Sequence, residues 1–139
     1  MAEGKVLTGA GLRGQVAGKT ALSTVGKSGA GLTYRGYDVQ DLAENCQFEE
    51  VAYLIFFGEL PTTEQLAAYK AKLKSLRQLP QALKEVLERI PADSHPMDVM
   101  RTGVSMLGNI ETEKSFDEQQ DVADSILATL PAIICYWYR

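Results

Sequence analysis

The chain has 139 residues, of which 14 are basic and 18 acidic, and a formal net charge of −4. This length is typical of a single domain. No block of like charges is present, which argues against nucleic acid as a partner.

The N-terminus and the cysteines indicate the compartment. The N-terminus lacks the apolar stretch of a secretory signal. The longest apolar run, residues 126–138, is too short to span a bilayer and is interrupted by Thr129 and Pro131. Cys46 and Cys135 lack the spacing of metal ligands and predict two buried, reduced thiols. The sequence therefore predicts a cytoplasmic protein without a membrane partner and without a metal.

The first part of the chain has a composition different from the rest. Residues 1–36 are rich in Gly, Ser, Thr and Lys and lack helical periodicity. Within them, the segments 21–25 and 32–34 flank a glycine-rich turn and can pair as short strands. We predict an irregular N-terminal arm with a small β-hairpin over residues 1–36. Residues 37–139 are predicted to form a helical region.

Two short helices open this region. Asp38 can cap a helix over residues 39–45. A second helix over residues 48–57 is predicted to end at Gly58, since glycine tolerates the left-handed conformation that often follows a helix. This second helix is apolar on nearly all sides, which predicts burial on most of its surface.

The third helix begins with a capping box, in which Thr62 and Gln65 can each bond to the other's backbone amide. Its side chains separate into two faces at helical spacing. The apolar face consists of Leu66, Tyr69, Leu73 and Leu76. The basic face consists of Lys70, Lys74 and Arg77. The helix is therefore predicted to be amphipathic, with the basic face turned to solvent or to a ligand.

Prolines mark the starts of the next two helices. Pro80 suits the first turn of a helix that Pro91 ends. Ser94 and Pro96 begin the following helix, which we expect to end at Gly108. His95, the single histidine of the chain, is predicted to satisfy free backbone amides at this start. The core stripe of the helix is predicted to be Met97, Met100, Val104 and Leu107.

A polar loop over residues 109–115 leads into a final helix, which begins near Phe116 and is predicted to kink near Pro131. The end of this helix is its most apolar part, whereas chain termini are usually polar. We therefore expect it to lack cover and to cause self-association or exchange between chains. The residues concerned are Ile133, Ile134, Trp137 and Tyr138. Six helices and little strand predict an all-α fold.

Two stretches carry a resemblance to a known family. They are LTYRGYDVQDLAENCQFEEVAYLIFFGELPT at residues 32–62 and SHPMDVMRTGVSMLG at residues 94–108. Together they resemble the front third of citrate synthase family enzymes. Residues 14–38, GQVAGKTALSTVGKSGAGLTYRGYD, are more similar to the 2-methylcitrate synthases, which condense propionyl-CoA with oxaloacetate. Citrate synthase proper, which uses acetyl-CoA, is the alternative within the family.

The resemblance implies a largely helical homodimer with a large and a small domain and an active site in the cleft between them. This chain would form the N-terminal part of the large domain. Members of the family run well past twice this length, and the two histidines and the aspartate of their chemistry lie in later motifs. The resemblance thus implies no catalytic residue within this chain. It also implies no cofactor, because acyl-CoA is a substrate.

The family's reaction explains why one histidine is insufficient. Proton removal beside the thioester carbonyl needs a carboxylate base and a hydrogen-bond donor on the carbonyl oxygen. Attack on oxaloacetate needs a second donor on the keto oxygen. His95 cannot supply both donors, so we expect the isolated chain to have no synthase activity. A truncated helical interaction module without catalysis is the further alternative.

Basic side chains are the candidate ligand residues of this segment. Lys70, Lys74 and Arg77 could contact a CoA phosphate or a substrate carboxylate, and the resemblance implies a substrate contact at the position of Lys74. The alternative is a solvated face opposite the leucine stripe. Since the full site is missing from this chain, we expect the isolated chain to bind CoA no more tightly than about millimolar.

The resembling motifs also single out Arg35 and Arg101. Both are expected to form buried ion pairs, which would explain them without any ligand. The candidate acidic partners are Asp38, Asp41 and Asp98.

Overall fold

The computed structural model describes residues 18–26 and 31–139. The described residues form six α-helices and a single three-stranded sheet. The all-α prediction is therefore confirmed. The irregular arm predicted before residue 18 and part of the predicted turn, at residues 27–30, lie outside the described residues.

The chain divides into two compact units, residues 1–45 and residues 46–139. The division inferred from composition, between residues 1–36 and 37–139, stays a prediction. In the described part of the chain, no helix has the combination of length and apolar character that crossing a membrane requires.

The small sheet of the first unit contains the predicted hairpin. Strands β1 (Ser23–Val25) and β2 (Leu32–Tyr34) are antiparallel, with Thr24 opposite Thr33. The hydroxyl oxygens of these two threonines lie 2.6 Å apart and share a hydrogen bond. Cross-strand threonine pairs of this kind stabilise a short ladder. The hairpin prediction is confirmed.

A third strand, β3 (Tyr37–Asp38), pairs with β2 and was not predicted. The turn between them is the two residues Arg35 and Gly36, with φ of 50° and 93°. Two successive positive φ values match the right-handed twist of a tight hairpin, and glycine supplies the second without strain. The turn was not predicted because its first residue is arginine, whereas the usual sequence signals for such a turn are Asn-Gly and Asp-Gly.

Helix α1 (Val39–Asn45) also belongs to the first unit. The side chain of Asp38 accepts a hydrogen bond from the backbone N–H of Gln40 at 2.8 Å. The predicted cap and both predicted ends of α1 are thus confirmed.

The second unit contains five α-helices in its described residues. One 3₁₀ turn (Phe116–Glu118) leads directly into the last of them. The helices are α2 (Phe48–Phe57), α3 (Thr63–Ser75), α4 (Gln81–Leu87), α5 (Pro96–Ile110) and α6 (Gln119–Tyr138). Two predicted boundaries were wrong by two or three residues. Helix α4 ends before Ile90, and α5 continues past Gly108, which shortens the predicted loop.

Local capping follows the sequence closely. Thr62 Oγ1 accepts from the Gln65 N–H at 3.2 Å, and Gln65 Oε1 accepts from the Thr62 N–H at 2.8 Å. His95 Nδ1 accepts from the backbone N–H of Met97 at 3.2 Å. Gly58 has φ of 92° and donates to the carbonyl of Leu54. The capping box, the histidine cap and the glycine end are therefore confirmed.

The core of the second unit has two parts. One lies among α4, α5 and α6 and the other between α3 and α6, so α6 contributes to both. The buried residues of the first part are Leu79, Leu83, Leu87, Val99, Leu107 and Ile133. Those of the second are Tyr69, Leu73 and Ala128.

Of the core stripe predicted for α5, Leu107 is buried and Met100 and Val104 are half-buried, whereas Met97 was wrong. Met97 is 63% exposed, and the buried positions are Val99, Gly103 and Leu107. Gly103 is the point of closest approach to α6. A Cβ atom built on Gly103 would lie 2.6 Å from Cγ2 of Ile133, so this crossing depends on the absence of a side chain.

The end of α6 is better covered than predicted. Ile133 is completely buried, and Ile134 and Trp137 pack against the same core cluster. The expectation that these residues lack cover was therefore wrong for Ile133, which packs on Gly103 of α5, and for Ile134 and Trp137, which are half-buried. Tyr138 is 85% exposed, as expected. Self-association through this end stays a prediction.

Helix α2 is more exposed than its composition suggested. Leu54 is its one buried residue, whereas Phe48 and Phe57 are 66% and 48% exposed. One face packs on α3, where the rings of Tyr53 and Phe57 stand edge-on to Tyr69 at centroid distances of 5.5 and 6.0 Å. The prediction of burial on most sides was wrong for these described residues.

Candidate functional site

The predicted basic face lies along α3 and just beyond its end. Lys70 donates a hydrogen bond to the side-chain oxygen of Gln47. Arg77 Nη2 lies 3.8 Å from Glu49 Oε1. Lys74 is exposed and forms no ion pair within the described residues. Polar groups at the start of α2 thus engage two of the three predicted ligand residues.

The most connected polar group of the second unit was not predicted. We call it the α3–α6 polar cluster, and its members are Tyr69, Lys72, Gln120, Asp121 and Asp124. Asp124 is completely buried and accepts from Tyr69 OH at 2.9 Å, from Lys72 Nζ at 2.7 Å and from Gln120 Nε2 at 3.2 Å. Lys72 Nζ also donates to Asp121 Oδ1 at 2.8 Å.

The surroundings favour the proton on both donors from α3. Burial raises the pKa of Tyr69, and the hydrogen bond to Asp124 raises it further. The hydrogen bonds of Lys72 to Asp121 and to Asp124 raise the pKa of the ammonium group. Within the described residues, every buried side-chain polar atom has a hydrogen-bond partner. The arrangement therefore ties α6 to α3 and does not leave Asp124 poised as a general base.

One signal in the sequence could have revealed this cluster. Asp124 stands between Ala123 and Ser125, in the stretch of α6 where small and apolar residues predominate. An acid at such a position is buried with the helix and requires donors from a neighbour. Tyr69 and Lys72, three residues apart on α3, are the donors that meet it.

We predict that the free energy of unfolding falls at alkaline pH because of Tyr69 and Lys72. Their ordinary pKa values are 10.0 and 10.5, and both are raised in the folded chain. Above about pH 10 the unfolded chain therefore loses these protons before the folded chain does, and stability declines with further rise in pH. Below that pH the contribution is fully present.

Urea unfolding at pH 8, 9, 10 and 11, followed by far-UV circular dichroism, measures this decline. Tyr69→Phe removes one of the two groups and is expected to make the decline shallower. A free energy of unfolding that is unchanged between pH 9 and pH 11 would contradict the prediction.

Of the remaining charged residues singled out from the sequence, Arg101, Asp98 and Asp41 are exposed, whereas Arg35 and Asp38 are half-buried. Arg101 Nη2 lies 3.2 Å from Asp98 Oδ1, but the arginine side chain is 80% exposed. The ion pair was predicted. Its predicted burial was wrong, because the pair spans one turn on the exposed face of α5. Across residues 18–26 and 31–139, no three His, Cys, Asp or Glu side chains are grouped as metal ligands.

The two cysteines are free thiols. Cys46 is half-buried. This burial raises the pKa of its thiol, and the negative charge of Glu50 makes a smaller contribution in the same direction. A raised pKa keeps the thiol protonated and weakly nucleophilic. Cys135 is exposed, so the prediction that both thiols are buried was wrong for Cys135.

Comparison with known proteins assigns the chain to a family. A family model described as citrate synthase, C-terminal domain, matches residues 11–139. The chain belongs to the citrate synthase family. It is 77% identical over 139 residues to the 2-methylcitrate synthase of Shewanella oneidensis, covering all of this chain and 37% of that protein. It is 42% identical over 127 residues to 2-methylcitrate synthase 1 of Corynebacterium glutamicum, covering 89% of this chain and 33% of the relative.

A solved citrate synthase supports the fold. The chain resembles the citrate synthase of the archaeon Thermoplasma acidophilum, solved as a ternary complex with carboxymethyl coenzyme A and oxaloacetate, with a TM-score of 0.83 and 28% identity. The match covers 92% of this chain and 34% of that structure. The helical citrate synthase fold is therefore established, and the chain spans about a third of the length of the citrate synthase family relatives it matches.

Proposed function

We propose that this chain is the N-terminal helical portion of a 2-methylcitrate synthase, an acyltransferase that condenses propionyl-CoA with oxaloacetate in propionate catabolism. The observation that carries the proposal is the 77% identity over all 139 residues to the 2-methylcitrate synthase of Shewanella oneidensis. We infer in addition a cytoplasmic homodimer that needs no cofactor, with acyl-CoA as a substrate. The same enzyme could accept acetyl-CoA as a side activity.

The contacts of the second unit support a scaffolding role for the segment. The reaction needs a carboxylate base and two separate hydrogen-bond donors on the reacting carbonyl oxygens. The one imidazole of the chain, His95, accepts the Met97 N–H as a helix cap. Asp124, the most buried acid described, is occupied by three donors. The proposal therefore places the catalytic histidines and aspartate elsewhere in the complete enzyme.

The proposal includes a substrate contact on the basic face. Lys74 is the favoured residue, because its ammonium group is exposed and has no acidic partner in the described part of the chain. Lys70 and Arg77 would have to leave Gln47 and Glu49 to reach an anion. A carboxylate or phosphate of the substrates is the group that such cations would meet.

Release of free CoA thiol tests the proposal. The protein encoded by the complete reading frame is assayed with oxaloacetate and either propionyl-CoA or acetyl-CoA, and we expect a higher kcat/KM with propionyl-CoA. The 139-residue chain alone is expected to give the background rate, since one imidazole cannot supply both donors. His95→Asn, which keeps a capping side chain, is expected to leave the activity of the complete enzyme unchanged.

Each other outcome favours an alternative. A preference for acetyl-CoA would identify a citrate synthase proper. Thiol release by the 139-residue chain above background would overturn the scaffolding role. Absence of activity from the complete, folded protein with both thioesters would favour a helical interaction module without catalysis.

A further inference from the structure

The lysines of the second unit differ in what surrounds their amines. Lys72 and Lys74 lie two residues apart in the last turn of α3. The dipole of this helix end acts on both amines, so the difference between them comes from their side-chain neighbours. The other lysines of the unit are Lys70, Lys84 and Lys114.

The amine of Lys72 is engaged twice. Lys72 Nζ donates to Asp121 Oδ1 at 2.8 Å and to Asp124 Oδ2 at 2.7 Å. Both bonds favour the ammonium form and raise the pKa of Lys72. An ammonium group has no lone pair and cannot attack an electrophile. Lys72 is therefore protected from acylating reagents, although its side chain is 42% exposed.

Lys70 and Lys84 are each half-buried against a neighbouring side chain. Lys70 donates a hydrogen bond to the side-chain oxygen of Gln47. Lys84 Nζ lies 5.7 Å from the centroid of the Tyr136 ring, within range of a cation–π contact. Both amines are thus occupied and partly covered.

Lys74 differs from these three lysines. It is exposed, and in the described part of the chain no acidic side chain pairs with it. Lys70 lies one helical turn before it. The backbone N–H of Arg77 donates to the Lys74 carbonyl at 3.4 Å, which places Arg77 one turn after it. The amine of Lys74 is therefore open to solvent between two cations, which attract an anionic reagent.

Lys114 is exposed as well, but its neighbours are acidic. Glu113 precedes it in the chain, and Glu118 Oε2 accepts from the backbone N–H of Lys114 at 3.0 Å. These carboxylates repel an anionic reagent. Among the lysines of residues 46–139, all of which the structure describes, Lys74 alone combines an exposed amine with cationic neighbours.

We propose that Lys74 is a site of covalent acylation by acyl-CoA thioesters. The inference rests on the proposed function, which gives this protein an acyl-CoA as substrate. The neutral amine attacks the thioester carbonyl carbon, an amide C–N bond forms and the C–S bond breaks. The CoA thiolate leaves and takes up the proton that the amine releases. The product is an uncharged acyl-lysine, so the basic face loses one of its cations.

Acylation rates in the protein encoded by the complete reading frame test the proposal. The protein is incubated at pH 8 with propionyl-CoA and without oxaloacetate, and the acylated fraction of each lysine is followed by peptide mass spectrometry. We expect Lys74 to react about tenfold faster than Lys72 and several times faster than Lys114. S-propionyl-N-acetylcysteamine, an uncharged thioester, should keep the preference over Lys72 and lose the preference over Lys114.

Three variants separate the two causes. Asp121→Asn removes one carboxylate from Lys72 and is expected to raise the rate at Lys72 while leaving the rate at Lys74 unchanged. Arg77→Gln is expected to lower the rate at Lys74 with propionyl-CoA but not with the uncharged thioester. Arg89→Gln makes the same change of charge at an exposed position beyond α4 and should leave the rate at Lys74 unchanged.

The outcomes that would overturn the proposal are a rate at Lys74 no higher than at Lys72 or Lys114 in the folded protein, or the same preference in protein unfolded by urea. The failure of this inference is distinguishable from failure of the proposed function. The thioester is supplied as a reagent, so acylation of Lys74 is measured whether or not the protein releases CoA thiol with oxaloacetate.

Discussion

Asp124→Ala is expected to lower the free energy of unfolding of the chain by about 3 kcal/mol. The substitution removes a completely buried carboxylate that accepts three hydrogen bonds. It leaves the buried Tyr69 hydroxyl without its acceptor and opens a cavity between α3 and α6. Lys72 is 42% exposed and keeps Asp121 as a partner, so the loss stays below that of a fully buried broken pair.

Urea unfolding of the wild type and of two variants measures this effect. Asp121→Ala is the matched control, because it removes the other carboxylate bound to Lys72. The Asp121 side chain is 78% exposed. We expect it to cost less than about 1 kcal/mol, as exposed ion pairs do. Similar losses in the two variants would mean that burial of Asp124 contributes nothing beyond a surface pair, which would refute the prediction.

Gly103→Ala is expected to destabilise the chain by roughly 1–2 kcal/mol, although alanine is the better helix former by about 1 kcal/mol. The added methyl group would lie 2.6 Å from Cγ2 and 3.2 Å from Cδ1 of Ile133. Cγ2 is attached at the branch of a completely buried side chain and cannot move aside by rotation of a flexible end. Helix α6 must therefore shift away from α5, and the core between them loosens.

The same helix contains the control for this substitution. A Cβ atom at Gly108 would meet nothing within 4 Å. Gly108→Ala is therefore expected to stabilise the chain by up to about 1 kcal/mol through helix propensity alone. Combining Gly103→Ala with Ile133→Ala should give a smaller loss than the sum of the two single losses. Stabilisation by Gly103→Ala would show that α6 accommodates the methyl group.

Both predictions concern the placement of α6, which packs against α3 through Asp124 and against α5 through Ile133. Under the proposed function this segment is scaffold, and these two contacts hold its helices together. If the proposed function is right, we expect Asp124→Ala in the complete enzyme to lower the Tm and to leave the KM for oxaloacetate unchanged. The Tm and the KM, measured on the same preparation, check this expectation.

Local signals in the sequence predicted the features that depend on near neighbours. The capping box of Thr62 and Gln65, the Asp38 cap and the His95 cap each join atoms within three residues of one another. The glycine end of α2 at Gly58 depends on one φ angle. Such contacts form from the residue types and their spacing, whatever lies on the other side of the helix. The family was likewise predicted from the sequence, through the resemblance of residues 32–62 and 94–108.

For the candidate ligand residues, the sequence predicted their shared helix face but not their contacts with other helices. Helical spacing placed Lys70, Lys74 and Arg77 on one face of the third helix. Lys70 and Lys74 lie on α3, which ends at Ser75, and Arg77 lies just beyond it. Spacing alone did not indicate that Gln47 and Glu49 engage two of them. These neighbours come from other helices, and their positions depend on how the helices pack.

Sequence by itself determined the helix starts, the ends of α1 and α2, the hairpin and the family of this protein. Tertiary structure decided which face of α5 is buried, how far α2 is exposed and where the charge of Asp124 is satisfied. The bond between Tyr69 and Asp124 spans 55 residues, and the contact of Gly103 with Ile133 joins two separate helices. Helical periodicity predicts which face of a helix is buried to within about one residue. The point at which two helices cross depends instead on the shapes of the side chains that meet there, as at Gly103, where a side chain is missing.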